Sequence, residues 1–191
     1  MSEVQLSQEE QNEGFVLLFN GEDLDGWTVV GEDDNAWSVQ NGMMVCNGAG
    51  RGWIRPVETY TDFVLRLDYR IYEEGNSGIF IRTSEEGRPA FQGMEIQLLD
   101  GHEGIGPEKE NGAIYDSVGP SQDVTNPAGE WNAIEVSCEG AVVRVVLNGT
   151  EIVNCDTSTH PDLKDRMKSG LIGLQNHRTP IDFRIVRIKV L

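Results

Sequence analysis

Residues 62–72 (DFVLRLDYRIY) alternate between two faces without a break. Phe63, Leu65, Leu67, Tyr69 and Ile71 make one face; Val64, Arg66, Asp68, Arg70 and Tyr72 make the other. Only an extended chain has a side-chain period of two, so this stretch predicts a strand with one buried face. At ~3.3 Å per residue it spans about 36 Å, enough to cross a large sheet. Residues 78–83 (GIFIRT) repeat the pattern, with Ile79 and Ile81 on one side and Phe80 and Arg82 on the other. Residues 91–100 (FQGMEIQLLD) alternate Met94, Ile96 and Leu98 with Glu95 and Gln97.

The joints between such stretches point the same way. Asn41-Gly42 separates residues 37–40 from 43–46, and Asn148-Gly149 follows a hairpin predicted over 131–138 and 142–147. Asn-Gly favours the left-handed backbone of a type I′ turn. The last two strands are predicted over 171–177 and 181–191. Short β-rich runs, 22 glycines and the lack of long helical patterns define an all-β chain, a sandwich or barrel. Residues 161–168 (PDLKDRMK) are the one helical candidate: Pro161 suits a first helical position, and Gly170 stops the helix. Residues 1–13, polar and acidic, are expected to be a flexible arm. Residues 14–191 form a single domain, since no linker divides them.

Charge narrows the partners. The chain of 191 residues has 32 acidic and 15 basic residues, a net −17. Such a surface repels phosphate backbones, which argues against nucleic acid and anionic membranes. No apolar run reaches 18 residues, so no membrane span is expected. Cys46, Cys138 and Cys155 contain no CxxC pair, and an odd number allows at most one disulfide. The N-terminus lacks the basic-then-apolar layout of a signal peptide. The protein is then cytoplasmic, or its signal has been removed.

Seven segments, in order, are similar to the 3-keto-disaccharide hydrolase domain family. They are residues 14–27 (GFVLLFNGEDLDGW), 76–82 (NSGIFIR), 94–100 (MEIQLLD), 112–115 (GAIY), 129–132 (GEWN), 146–149 (VLNG) and 170–184 (GLIGLQNHRTPIDFR). The resemblance implies a concanavalin A-like jelly roll of two antiparallel sheets, one of them curved into a groove. It also implies a carbohydrate ligand and a secreted or periplasmic location in glycan-degrading bacteria. One departure stands out: the family usually has glycine after the histidine of LQxHG, and here the residue is Arg178.

Parity places candidate site residues on a common face. Glu95 and Gln97 lie opposite Met94, Ile96 and Leu98. Arg82 lies opposite Ile79 and Ile81, and Gln175 with His177 lies opposite Ile172 and Leu174. If these strands share a sheet, the polar groups gather on its outer face. The family activity implies chemistry on a keto-sugar: a base removes the hydrogen beside the ketone, the enolate expels the glycosidic oxygen, and water adds. His177 is the leading base, because its ordinary pKa lies near operating pH. Glu95 is the alternative base or a hydroxyl acceptor. Arg82 or Arg51 would stabilise the negative charge that develops. Gln97, Asp100, Asn76 and Gln175 are candidates for sugar hydroxyls, and Trp53 and Tyr115 for stacking on a ring.

No cofactor motif is present. Glu95, Asp100 and His177 are the groups a divalent ion would need to find together, and no close spacing links them. His102 and His160 fall in polar loops. A conventional two-carboxylate glycosidase fits poorly. Glu95 and Asp100 lie five positions apart, about 16 Å along a regular strand and on opposite faces, whereas a retaining pair needs ~5 Å. The competing expectation is a non-catalytic, lectin-like carbohydrate-binding module on the same fold.

Overall fold

The computed structural model describes residues 4–101 and 104–191. His102 lies outside the described residues. Among those described, the strands are β1 Val16–Leu17, β2 Trp27–Gly31, β3 Trp37–Gln40, β4 Met43–Cys46, β5 Gly52–Pro56, β6 Thr59–Tyr60, β7 Phe63–Ile71, β8 Asn76–Thr83, β9 Met94–Leu99, β10 Trp131–Glu139, β11 Val142–Leu147, β12 Thr150–Asp156, β13 Gly170–Asn176 and β14 Ile181–Val190. They make two sheets. The larger runs β12-β11-β10-β7-β14-β4-β3, with β1 also on β14; the smaller runs β2-β5-β13-β8-β9, with β6 also on β13. The all-β sandwich of two antiparallel sheets expected from the sequence is the fold observed.

The period-two pattern explains why the sheets stack. Every second residue of β7, from Phe63 to Ile71, is buried, and the residues between are half-exposed. Facing them across the core are Ile54, Ile79, Ile81, Met94, Ile96, Leu98, Ile172 and Leu174 of the smaller sheet. Each large aliphatic side chain so buried contributes roughly 1.5–3 kcal/mol. Both Asn-Gly pairs turn as expected, with φ of 52° and 78° at Asn41 and Gly42 and 48° and 81° at Asn148 and Gly149. All three cysteines are buried and unpaired.

Two local expectations change. The N-terminal arm contains a helix, α1 Gln8–Glu13, closed by a reciprocal capping box between Ser7 and Glu10. It is anchored on the outer face of the larger sheet, where Glu10 pairs with Arg187 and Glu13 with Arg66. Residues 161–165 form hydrogen-bonded turns and 166–168 an irregular bend, instead of a helix. The Leu163 and Lys164 amides both donate to His160 O, and the Met167 amide donates to Gln92 O. Arg166 donates to the carbonyls of Asp162, Ala90 and Gly93. Backbone groups that would extend a helical ladder are thus taken by other partners. The turn they steady is α2 Pro89–Gln92, at the rim of the groove described next.

Candidate functional site

Strand register stacks the outer face of the smaller sheet into rows. Gly78 pairs with Gln97, and Ile79 with Leu174, which brings Gln175 beside Gly78; Gln175 in turn pairs with Trp53. The middle row therefore reads Gln97, Gly78, Gln175, Trp53 from β9 to β5. The row on one side holds Glu95, Phe80 and Gly173. The row on the other holds Asn76, His177 and Arg51, since Asn176 pairs with Gly52 just before them. Apart from Gly78 and Gly173, these residues line a groove of about 450 Å³, with Tyr115, Glu85 and residues 87–90 also on its rim. Ligand sites commonly fall between about 300 and 1,000 Å³.

Two glycines set the depth of the floor. A Cβ on Gly78 would lie 2.2 Å from Glu95 Oε1, so the carboxyl occupies the space a side chain would fill. A Cβ on Gly173 would lie 2.0 Å from the Trp53 ring, so the indole lies directly on the backbone. The Trp53 and Phe80 rings meet edge to face at 5.5 Å and 89°. With Trp53 only 4% exposed, it paves the floor rather than offering a free face for stacking. Tyr115 is half-buried and more open to a ligand. Its amide donates to Glu95 O, and its ring meets Phe91 at 6.3 Å.

The titratable groups are pushed apart. Burial drives the Glu95 carboxyl up to about 8, against smaller opposite effects of the Gln175 amide and the Arg88 charge. At neutral pH it therefore carries a proton. Burial also holds His177 below its ordinary value, helped by the charges of Arg51 and Arg178 and opposed by a hydrogen bond to its own backbone. His177 is therefore neutral and able to accept. An acid and a base with opposed shifts in one groove have the character of a catalytic pair. Gln175 Oε1 is buried without a hydrogen-bond partner, so a donor on a ligand would satisfy it.

Of the ten residues the sequence singled out, His177, Glu95, Gln97, Arg51, Trp53, Asn76, Tyr115 and Gln175 line the groove. Arg82 does not. A break in β8–β13 register between Leu171 and Gly173, with φ 49° at Arg82, reverses the parity there. The side chain turns inward and is fully buried. It donates to Thr61 O, Gly140 O and Asp62 Oδ1 at 2.7, 2.8 and 2.9 Å. Asp100 is also elsewhere: it accepts from the Glu74 amide at 3.0 Å and faces a separate depression with Glu110 and Asp123. Among the described residues no group of three or more His, Cys, Asp or Glu side chains is gathered to hold a metal.

Arg88, Phe80 and Asn176 line the groove without having been singled out. Phe80 was readable by parity with Glu95. Arg88 lies on an irregular loop and leaves no periodic signal. Arg178, where the family usually has glycine, has φ 68°. The loop keeps its left-handed turn, with the Arg178 amide donating to Asn176 Oδ1 at 3.0 Å, and accepts the strain of a side chain there.

Residues 14–189 match the 3-keto-alpha-glucoside-1,2-lyase-like domain. A 3-keto-disaccharide hydrolase of Bacteroides thetaiotaomicron is 23% identical over 229 aligned residues, covering 94% of this chain and 79% of that one. The crystal structure of a candidate glycosyl hydrolase from Parabacteroides distasonis superposes with a TM-score of 0.88 at 29% identity, over 100% of both chains. The carbohydrate binding module CBM66 of Bacillus subtilis shares the fold, with a TM-score of 0.60 at 16% identity over 85% of this chain and 94% of that one. By the extent of the first match, this chain belongs to the 3-keto-alpha-glucoside-1,2-lyase-like domain family.

Proposed function

We propose that the groove binds a glycoside with a ketone at ring carbon 3 and cleaves its glycosidic bond by elimination followed by hydration. His177 takes the proton from carbon 2, which the ketone acidifies. The electron pair moves into an enolate whose oxygen sits by Arg51. The enolate collapses and expels the glycosidic oxygen, which takes its proton from Glu95. Water then adds at carbon 1 and a proton returns to carbon 2, so the net reaction is hydrolysis.

The observation that supports this reading is the order of the three groups. The Glu95 carboxyl lies over Gly78 on β8, His177 follows β13, and Arg51 precedes β5. Adjacent strands lie about 4.8 Å apart, so this order spans roughly 10 Å. Glycosidic oxygen, carbon 2 and the ketone oxygen occur in the same order along one edge of a sugar ring. A cation near the enolate oxygen and a positioned acid near the leaving oxygen each act where charge develops. Gln97, Asn76 and Gln175 are placed to hold hydroxyls.

The test is turnover of a 3-keto-glucoside beside the unoxidised glucoside. Release of the aglycone from the keto form alone, lost in His177→Gln and Glu95→Gln with binding retained, is the expected result. Binding of both glycosides without release of either would instead identify a lectin-like module.

A further inference from the structure

The groove holds cations that the rest of this acidic chain has not neutralised. Among the described residues, eight of the eleven arginines have a carboxylate within 4.0 Å. The other three are Arg51, Arg88 and Arg166. Arg166 spends its guanidinium on three backbone carbonyls. Arg51 and Arg88 make no such bonds, and both line the groove. They lie toward opposite ends: the charge of Arg51 acts on His177, and that of Arg88 on Glu95. Arg51 is accounted for by the enolate. Arg88 is not.

Arg88 is held but unspent. Its guanidinium lies 4.5 Å from the centroid of Phe91, whose ring also faces Arg166 at 4.9 Å. Phe91 meets Tyr115 edge to face on a further side. The contact holds the Arg88 guanidinium against the ring face and leaves its N–H donors free for an anion. It makes no ion pair with Glu95, so its role is not to neutralise that carboxyl.

We propose that Arg88 marks the subsite of the departing sugar, and that this sugar carries a carboxylate or a sulfate ester. The assignment to the departing side rests on the cleavage reading above, in which Glu95 protonates the leaving oxygen. An anion there would be repelled by an ionised Glu95. The protonated acid that cleavage needs is also the form that tolerates the anion. The substrate class is then a keto-glucoside linked to an acidic sugar.

The experiment pairs binding with turnover. Glucose, glucuronate and glucose 6-sulfate are titrated calorimetrically into the wild type, Arg88→Lys and Arg88→Gln. The 3-keto-glucosides of the same three sugars are assayed for kcat/KM. Charged hydrogen bonds of this kind predict a preference of about tenfold or more for an acidic sugar over glucose in both measurements. The preference should weaken in Arg88→Lys and fall to about one in Arg88→Gln. Whichever acidic sugar shows the larger preference identifies the anion. Equal affinity for all three sugars in the wild type, or a preference that survives Arg88→Gln, overturns the proposal. A binding preference without any turnover would uphold the anionic subsite and remove the cleavage reading instead.

Discussion

The carboxyl of Glu95 rests on the bare backbone of Gly78, where a methyl group would come within 2.2 Å of Oε1. The glycine makes room for the side chain from the neighbouring strand and aims it along the groove. Gly78 has no left-handed backbone requirement, so alanine costs nothing in φ. Gly78→Ala should therefore fold and yet displace the acid by about 1 Å. A shift of that size typically costs about 100-fold in rate. Progress curves beside a thermal melt would check it; full activity with an unchanged melting temperature would mean that Glu95 is not the acid.

The opposed shifts of Glu95 and His177 set a pH window. The proposed cleavage needs His177 neutral and Glu95 protonated. His177 loses its proton below its ordinary 6.5, so the acid limb should lie beneath that value. Glu95 ionises near 8, so kcat/KM should fall as pH rises through that region. In Glu95→Gln the residual rate should be low and should show no alkaline limb. A profile that climbs steadily past pH 8 in the wild type would assign the acid elsewhere.

Arg82 is expected to matter for stability alone. It is the largest fully buried side chain and joins the start of β7 to the β10–β11 turn through Thr61, Asp62 and Gly140. Arg82→Met leaves the Thr61 and Gly140 carbonyls without this donor, and the partly exposed Asp62 carboxylate with the Gly140 amide but no cation. The loss should be roughly 2–4 kcal/mol in denaturant unfolding. Activity per folded molecule should persist at low temperature, whereas a groove role would abolish it.

Arg178→Gly removes a side chain from a left-handed position and a positive charge from the neighbourhood of His177. Relief of strain at such a site is worth about 1 kcal/mol, less what glycine's extra freedom costs in the unfolded chain. Stability should hold or rise slightly. The acid limb of the pH profile should move upward, because one of the charges depressing His177 is gone. A downward move would contradict the placement of Arg178.

Most of the sandwich was legible because the chain's local signals agree with its tertiary demands. The alternation in β7 and the Asn-Gly turns leave little choice of face or register. The site was legible where strands stay regular: Glu95, Gln97, Gln175 and His177 follow from parity alone. Arg82 did not, because one irregular residue is enough to exchange the two faces of a strand. Arg88 was hidden for another reason: loops have no period to read. The capped helix at the N-terminus had its signal in plain view, Ser7 followed by Glu10 at capping-box spacing, within a stretch whose polarity spoke for disorder. Residues 161–168 show the reverse case, good helix-end residues whose backbone is claimed by partners distant in sequence.

In the proposed route, cleavage proceeds through proton loss at carbon 2. It is tested most directly by running the reaction on a 3-keto-glucoside in D2O and reading the product by proton NMR against a control without enzyme. Elimination and hydration predict one deuterium at carbon 2 of the released 3-keto-sugar, with the reaction lost in His177→Gln. Enzymatic release of the aglycone with carbon 2 still fully protonated would show that the bond breaks without an enolate.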